Sequence, residues 1–194
     1  MMSSTLSTSE NGFTIIKFYE GKQTLWSIQP ELVSYLCPAR RWTIGYGTII
    51  YPDGTPVREG DRCTVQQARR WMINDVQAVE REIHAILYRF NLTGRIGQHQ
   101  FDSLVDIGYN VGTGQNGLGG STLIKHIAAN ASPEAIDAAF MMWCKGRADQ
   151  DGKDNDGDGL IDEPGEKKML LGLLTRRRSD AWLYRYGELR FFVR

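Results

Sequence analysis

Three side chains in the first quarter of the chain carry groups that can act together. Glu20 closes the segment Phe18-Tyr19-Glu20-Gly21. Cys37 and Thr43 follow in Tyr35-Leu36-Cys37-Pro38-Ala39-Arg40-Arg41-Trp42-Thr43-Ile44-Gly45-Tyr46-Gly47. A carboxyl can hand a proton to a departing oxygen. A thiolate can activate water or attack an electrophilic carbon. The pattern places Glu20 at the end of a helix, and it places the thiol and the hydroxyl on either side of a tight turn entering a short strand. Such a set suits hydrolysis.

At neutral pH an ordinary glutamate, with a pKa of about 4.3, is ionised and cannot give a proton. Two features of the sequence favour the protonated form of Glu20. The negative end of a helix dipole disfavours a carboxylate, and Phe18 and Tyr19 bring desolvation. The plain alternative is a solvent-facing glutamate before a capping glycine, and the turn downstream tips the reading towards chemistry. An unperturbed thiol, with a pKa near 8.5, is mostly neutral at pH 7. Arg40 and Arg41 stand close to Cys37 in sequence and are candidates to ionise it; the alternative is a small buried hydrophobe. Cys63 and Cys144 have no such company and read as structural. A cysteine peptidase needs an oriented histidine, yet His84, His99 and His126 are scattered and no spacing selects one.

A second constellation lies in the last third. Asp154-Asn155-Asp156-Gly157-Asp158-Gly159-Leu160-Ile161-Asp162-Glu163 follows the start of an EF-hand loop. Asp154, Asp156 and Asp158 match the first, third and fifth ligand positions. Gly159 supplies the turn, Leu160 its carbonyl, and Asp162 the ninth position, while Ile161 is expected to pack inward. Gly165 stands where the final glutamate is usual, leaving Glu163 or Glu166 to complete the set. The expectation is a structural Ca2+ site, with no metal required for the chemical step.

The elements that must position these groups follow from periodicity and punctuation. Ser9 to Glu20 reads as a first helix, with Gly21 offering a left-handed C-terminal residue. Ser34 to Tyr51 reads as short strands, closed by a Pro52-Asp53-Gly54 turn. Thr64 and Gln67 form a capping box. Beyond it Val65, Ala68, Met72, Val76, Val79, Ile83 and Ile86 line one face of a helix reaching about Tyr88. Further helices are expected over Gln98 to about Asn110, Thr122 to Ala129, Ser132 to about Trp143 and Leu170 to Tyr186, with a glycine-rich loop from Gly112 to Gly120. The fold class is α+β: a mainly helical, two-lobed molecule with a small β-sheet lobe, a long connecting helix and an inserted calcium-binding-like loop. Residues 1–194 form a single domain, and residues 147–168 an acidic insertion within it.

Composition narrows the class. The chain has 194 residues, 41% of them hydrophobic and 24% charged, enough for a folded core. Twenty-three basic and 23 acidic residues balance. The charges nevertheless segregate, with an acidic run from Asp149 to Glu166 followed by a basic one from Lys167 to Arg194. A basic C-terminal face can approach an anionic polymer, but no nucleic-acid motif accompanies it. No apolar run reaches the roughly 20 residues that span a bilayer, and Met1 to Asn11 does not read as a signal peptide. Three widely spaced cysteines point to synthesis in a reducing compartment.

The same residues carry a family resemblance. Four segments resemble the phage-type lysozymes of glycoside hydrolase family 24: Phe18-Tyr19-Glu20-Gly21; Cys37-Pro38-Ala39 through Thr43-Ile44-Gly45-Tyr46-Gly47; Gln100 to Val105 with Tyr109-Asn110-Val111-Gly112 and Gly120-Ser121-Thr122-Leu123; and Gly172 to Arg178. The resemblance implies a two-lobed lysozyme fold. It also implies hydrolysis of the β-1,4 bond between N-acetylmuramic acid and N-acetylglucosamine in peptidoglycan, as an endolysin does. Glu20 would be the general acid, Cys37 would stand where many members carry Asp, and Thr43 would help place water. Trp42 and Tyr46 are candidates to stack on sugars and Asn110 to bond an acetamido group, with core packing and helix capping as alternatives. The chain departs from the family pattern in three places: extra residues over Thr24 to Val33, Thr48 where His is usual, and the acidic insertion. Peptidoglycan is the expected partner, with no nucleic acid and no stable membrane insertion. The expected protein is a monomer held in the host cytoplasm and released to the cell wall or periplasm by a separate membrane-permeabilising protein. The readings weighed against this one are an inactive peptidoglycan-binding protein and a calcium-responsive interaction module.

Overall fold

A computed structural model describes residues 5–21, 31–37, 40–147, 152–155, 157–161, 165 and 167–193. Helix α1 spans Glu10–Glu20, and the Ser9 hydroxyl accepts from the Asn11 N–H at its start. Ser9 is itself held by Asp102, through its backbone N–H at 2.8 Å and its hydroxyl at 2.6 Å. Ile15 and Ile16 are fully buried, which fixes the roll of the helix. The ending differs from expectation. Gly21 has φ −81° and donates its N–H to the Lys17 carbonyl, so α1 stops without a left-handed residue.

The β structure is a set of short antiparallel pairs. Strand β1 (Glu31–Val33) pairs with β4 (Arg62–Thr64), and β2 (Tyr35–Leu36) pairs with β3 (Trp42–Thr43). Of the segment expected as an extra loop, Glu31–Val33 is therefore strand, and residues 24–30 lie outside the described residues. Tyr35 faces Thr43 and Leu36 faces Trp42 across the second pair. The Pro52-Asp53-Gly54 turn forms, with the Gly54 N–H donating to the Tyr51 carbonyl and the Asp53 carboxylate accepting from the Thr55 N–H and hydroxyl.

Helix α2 runs over Val65–Arg89 behind a complete capping box of Thr64 and Gln67. Ala68, Met72, Val76, Ile83 and Ile86 are buried at helical spacing. Helix α3 (Gln98–Val111) is the centre of the molecule. Every residue from Phe101 to Gly108 is buried, and α3 packs against α1, α2 and α6. Helices α4 (Thr122–Ala128) and α5 (Pro133–Met141) follow, each with a serine cap. Helix α6 (Leu171–Tyr186) closes the chain against α3 and α5. Two strands flank the acidic insertion, β5 (Lys145–Arg147) and β6 (Lys167–Met169). The insertion is thus the tip of a hairpin whose second arm leads into α6.

Candidate active site

Glu20 sits on the last turn of α1, and its side chain is 20% exposed. It forms an ion pair with Arg176 of α6. Arg176 is buried and turns its other donors on Asp106 of α3, with Nε to Oδ2 at 2.9 Å and Nη2 to Oδ1 at 2.8 Å. This two-pronged contact fixes the guanidinium plane. Burial alone would raise the Asp106 carboxyl, but the charge and hydrogen bonds of Arg176 overcome it and hold the group below the usual range. Arg176 in turn keeps its proton more firmly than a free arginine, because Asp106 and Glu20 outweigh its desolvation.

A second buried pair lies behind the first. Arg177 Nε stands 3.1 Å from Asp180 Oδ2, close enough for an ion pair but off the axis of a hydrogen bond. Burial pushes the Asp180 carboxyl well up, and the Arg177 charge only partly offsets this. Arg177 also donates to Asn110 Oδ1 at 3.2 Å. The Asn110 carbonyl is thereby engaged from α6. Two of the three successive arginines of α6 face inward and carry the site, while Arg178 is exposed.

The turn at Gly45–Gly47 closes over Glu20. Gly47 has φ +102°, and a Cβ there would lie 3.6 Å from Glu20 Oε2 and 3.8 Å from the Tyr109 hydroxyl. Gly45 has φ +64°, and a Cβ would meet that of Ala68 at 2.6 Å. Both positions favour glycine for conformation, and Gly45 requires it for space as well. The Tyr109 hydroxyl donates to the Tyr46 carbonyl at 2.8 Å, tying α3 to the turn. Burial, then the charges of Asp75 and Glu20, push the Tyr109 phenol well above its ordinary value. Thr48, where the family pattern has His, is buried beside Asp75 of α2 without a hydrogen bond of normal geometry. Half-buried Asp75 is raised by desolvation, and the nearby Thr48 hydroxyl only partly opposes this.

Cys37 and Thr43 sit on the β2–β3 hairpin, in line with the sequence reading. The Cys37 N–H donates to the Arg41 carbonyl at 3.0 Å, and the Arg40 N–H to the Cys37 carbonyl at 2.8 Å. Arg40 takes the left-handed conformation, φ 56°, to make this turn. Both arginines are exposed. Thr43 is buried and donates its hydroxyl to the Arg41 carbonyl at 3.0 Å, which leaves its oxygen lone pairs to accept. Tyr35 connects the hairpin to the acid: its phenol is raised by burial first, then by the negative charges of Glu20 and Cys37.

Of the residues proposed to touch sugar, Trp42 is half-buried. Tyr46 is only 4% exposed and belongs to the core, so its ring packs inside and offers no face to a ligand. Sequence reasoning missed Arg176, Asp106, Tyr35 and Asp75 as site residues. The arginine run of Gly172 to Arg178 was the available signal for Arg176. Nothing local distinguished the others.

In the acidic insertion, Asp154 accepts from the Gly157 N–H at 2.6 Å and the Gly159 N–H at 3.0 Å, and Asp158 from the Leu160 N–H at 2.9 Å. Asp156, Asp162, Glu163 and Glu166 lie outside the described residues. Ile161 is 63% exposed and does not pack inward. Among the described residues there is no group of three metal-ligating side chains.

Residues 30–180 match the phage lysozyme family. An endolysin of Acyrthosiphon pisum secondary endosymbiont phage 1 is 27% identical over 176 residues, covering 91% of this chain and 96% of that protein. An endolysin of Bacillus phage PZA is 30% identical over 180 residues, 92% of this chain but only 55% of that longer protein. Among solved structures, the endolysin from Escherichia coli O157:H7 phage FAHEc1 superposes with a TM-score of 0.66 at 27% identity, covering 95% of this chain and 97% of that one. The muramidase domain of SpmX from Asticaccaulis excentricus shares the fold, with a TM-score of 0.66 at 22% identity over 93% of this chain and 98% of that one.

Proposed function

The chain belongs to the phage lysozyme family, and from that premise we propose that it cleaves the β-1,4 bond between N-acetylmuramic acid and N-acetylglucosamine, with Glu20 as general acid. Peptidoglycan hydrolysis of the endolysin type is its activity. The observation that carries the assignment to Glu20 is its setting. It is a partly exposed carboxyl at a helix end, under the Gly45–Gly47 turn and anchored from behind by Arg176.

Cleavage of a glycoside needs a proton on the leaving oxygen and a second group at the sugar ring. Glu20 gives the proton. The carboxylate it becomes faces Arg176, so the negative charge that develops is met at once. Asp106 already takes two hydrogen bonds from Arg176. Cys37 acts as base, as nucleophile or in placing water. Thr43, with its proton committed to Arg41, can accept a hydrogen bond from that water. Trp42 and Asn110 bind the substrate.

The acidic insertion is the proposed calcium site. Asp154, Asp158 and the Leu160 carbonyl fit a hard cation that takes oxygen ligands, and Asp156, Asp162 and Glu163 complete the set. Asp154 gathering two backbone N–H groups is the turn such a loop needs at its first ligand. Calcium there offsets repulsion among the carboxylates and takes no part in bond cleavage. No helix among the described residues is long and apolar enough to cross a membrane. The protein works as a monomer, made in the host cytoplasm and reaching the wall after another protein opens the inner membrane.

The deciding experiment is Glu20→Gln, which keeps size and removes the transferable proton. The variant is expected to fold, to melt near wild type and to release almost no glycan ends from purified sacculi. Release close to the wild-type rate would remove Glu20 from the mechanism.

A further inference from the structure

The far end of the α5–α6 layer carries two cavities, of about 310 and 450 Å3, and none of their lining residues belongs to the catalytic set. They are neighbours, for Asp137 and Arg185 line both. Arg185 is bound to Asp137 at 2.7 Å and to Glu134 at 3.0 Å, so the shared wall carries no excess positive charge. The other arginines differ. Arg95 donates to Asn130 Oδ1 at 2.5 Å and to backbone carbonyls. Arg190 lies over the Trp182 ring at 4.5 Å and the Phe192 ring at 5.0 Å, and Arg178 lies 5.9 Å from the Phe192 ring. None of these three has an ion-pair partner among the described residues. Arg178 and Arg190, which meet rings and no carboxylate, keep N–H groups for an anion, while Arg95 has part of its donor set committed to Asn130 and to backbone carbonyls. Beside them Tyr186 is 51% exposed, and Leu92, Ile96, Ile127 and Ile136 form an apolar floor in the first cavity.

We infer that this face is a second, non-catalytic binding site for the peptidoglycan strand, an inference that rests on the hydrolytic reading above. The chemistry matches in both parts. Sugar rings offer C–H faces to Tyr186 and to the apolar floor. Stem peptides offer carboxylates at a regular repeat; Arg95 lines the first cavity, Arg178 the second, and Arg190 stands beside the second over Trp182 and Phe192. A polymer suits two adjoining open concavities better than a single small ligand does. A flat anionic bilayer suits them less well, since Arg95 and Arg178 line hollows and Trp182 is half-buried.

The site stands apart from the cleft. Arg176 and Arg185 are nine residues apart on α6, about 13 Å at the rise of an α-helix. A strand held here keeps the enzyme on the insoluble wall while the cleft works on another stretch, raising local concentration without altering the chemical step.

The test separates binding from catalysis. Glu20→Gln protein is pelleted with purified sacculi, with and without Arg95→Gln, Arg178→Gln and Arg190→Gln together. The three changes are expected to weaken sacculus binding about tenfold, the sum of several modest exposed charge contacts. In the Glu20 background they are expected to slow digestion of sacculi while leaving kcat on short soluble glycan fragments unchanged. Binding that is equally tight in both proteins overturns the proposal. So does binding by the Glu20→Gln protein that is indifferent to salt from about 0.05 to 0.3 M, a control requiring no change at the face. Loss of binding to phosphatidylglycerol vesicles but not to sacculi would assign the face to membrane and reject the wall site. Arginine-dependent sacculus binding supports the inference even if wild type releases no glycan ends, an outcome that would count against the catalytic reading alone.

Discussion

Arg176→Met removes the cation that is hydrogen bonded to both Glu20 and Asp106 while keeping much of the side chain's bulk. Asp106 is completely buried, and its carboxylate would lose both short contacts, at 2.9 and 2.8 Å. Removing one partner of a buried ion pair typically costs about 3–5 kcal/mol. Arg177 remains 3.8 Å from Asp106 and supplies partial compensation, so the lower end, about 3 kcal/mol, is the expectation. For a chain of this size each kcal/mol moves Tm by roughly 2–4 °C, giving a fall of about 6–12 °C. Adding Asp106→Asn to Arg176→Met removes the stranded charge and is expected to recover more than half of that fall. The pH dependence has a definite sign. Asp106 is depressed in the folded state, so its contribution is present above the ordinary carboxylate range and is lost as pH falls through its lower folded value. The gap between wild type and Arg176→Met should therefore narrow towards pH 3. Thermal melts of wild type, the single variant and the double variant at pH 7 and pH 3 measure all of this. A single variant within about 2 °C of wild type at pH 7, or a double variant no more stable than the single, would refute the account.

Four other outcomes can be measured. Asp75 is raised by desolvation, so ionising it costs native stability and the cost grows as pH rises above the usual Asp range; Asp75→Asn should raise Tm by on the order of 2 °C at pH 7 and leave it unchanged at pH 3, and destabilisation at pH 7 would contradict this. Cys37→Ala should impair glycan-end release while Cys37→Asp keeps more activity, because a carboxylate can serve as base or nucleophile; an unchanged kcat in Cys37→Ala would exclude the thiol. Iodoacetamide should label half-buried Cys37 before Cys63, whose thiol burial pushes up to about 11, as peptide mass mapping can check. Calcium should raise the Tm of metal-stripped protein, by about 2.7 kcal/mol of stability at a hundredfold excess over Kd, and Asp154→Ala should abolish the shift; equal shifts in both proteins would place any bound calcium elsewhere.

The sequence by itself determined what depends on neighbours within a few positions. The Thr64–Gln67 box, the apolar stripe from Ala68 to Ile86 and the Pro52-Asp53-Gly54 turn act through local dihedrals and spacing, and they form as expected. Glu20 at a helix end and Cys37 with Thr43 on a hairpin were legible for the same reason. Other outcomes were set by partners distant in sequence. Glu20 and Arg176 are 156 residues apart, and only the packing of α1 and α6 against α3 makes them an ion pair. Asp106 is a polar residue on a helix until Arg176 is placed beside it, after which burial strengthens the contact. Tyr46 and Trp42 are both aromatic residues flanking one turn, yet the path of that turn over Ala68 and Tyr109 sends Tyr46 into the core. Strands β5 and β6, a few residues each and rich in lysine, carry no alternation to announce them; they exist because the insertion must leave α5 and return to α6. Gly21 ends α1 without the left-handed turn that glycine permits. Local chemistry sets which conformations are cheap, and tertiary packing selects among them by the contacts each one completes.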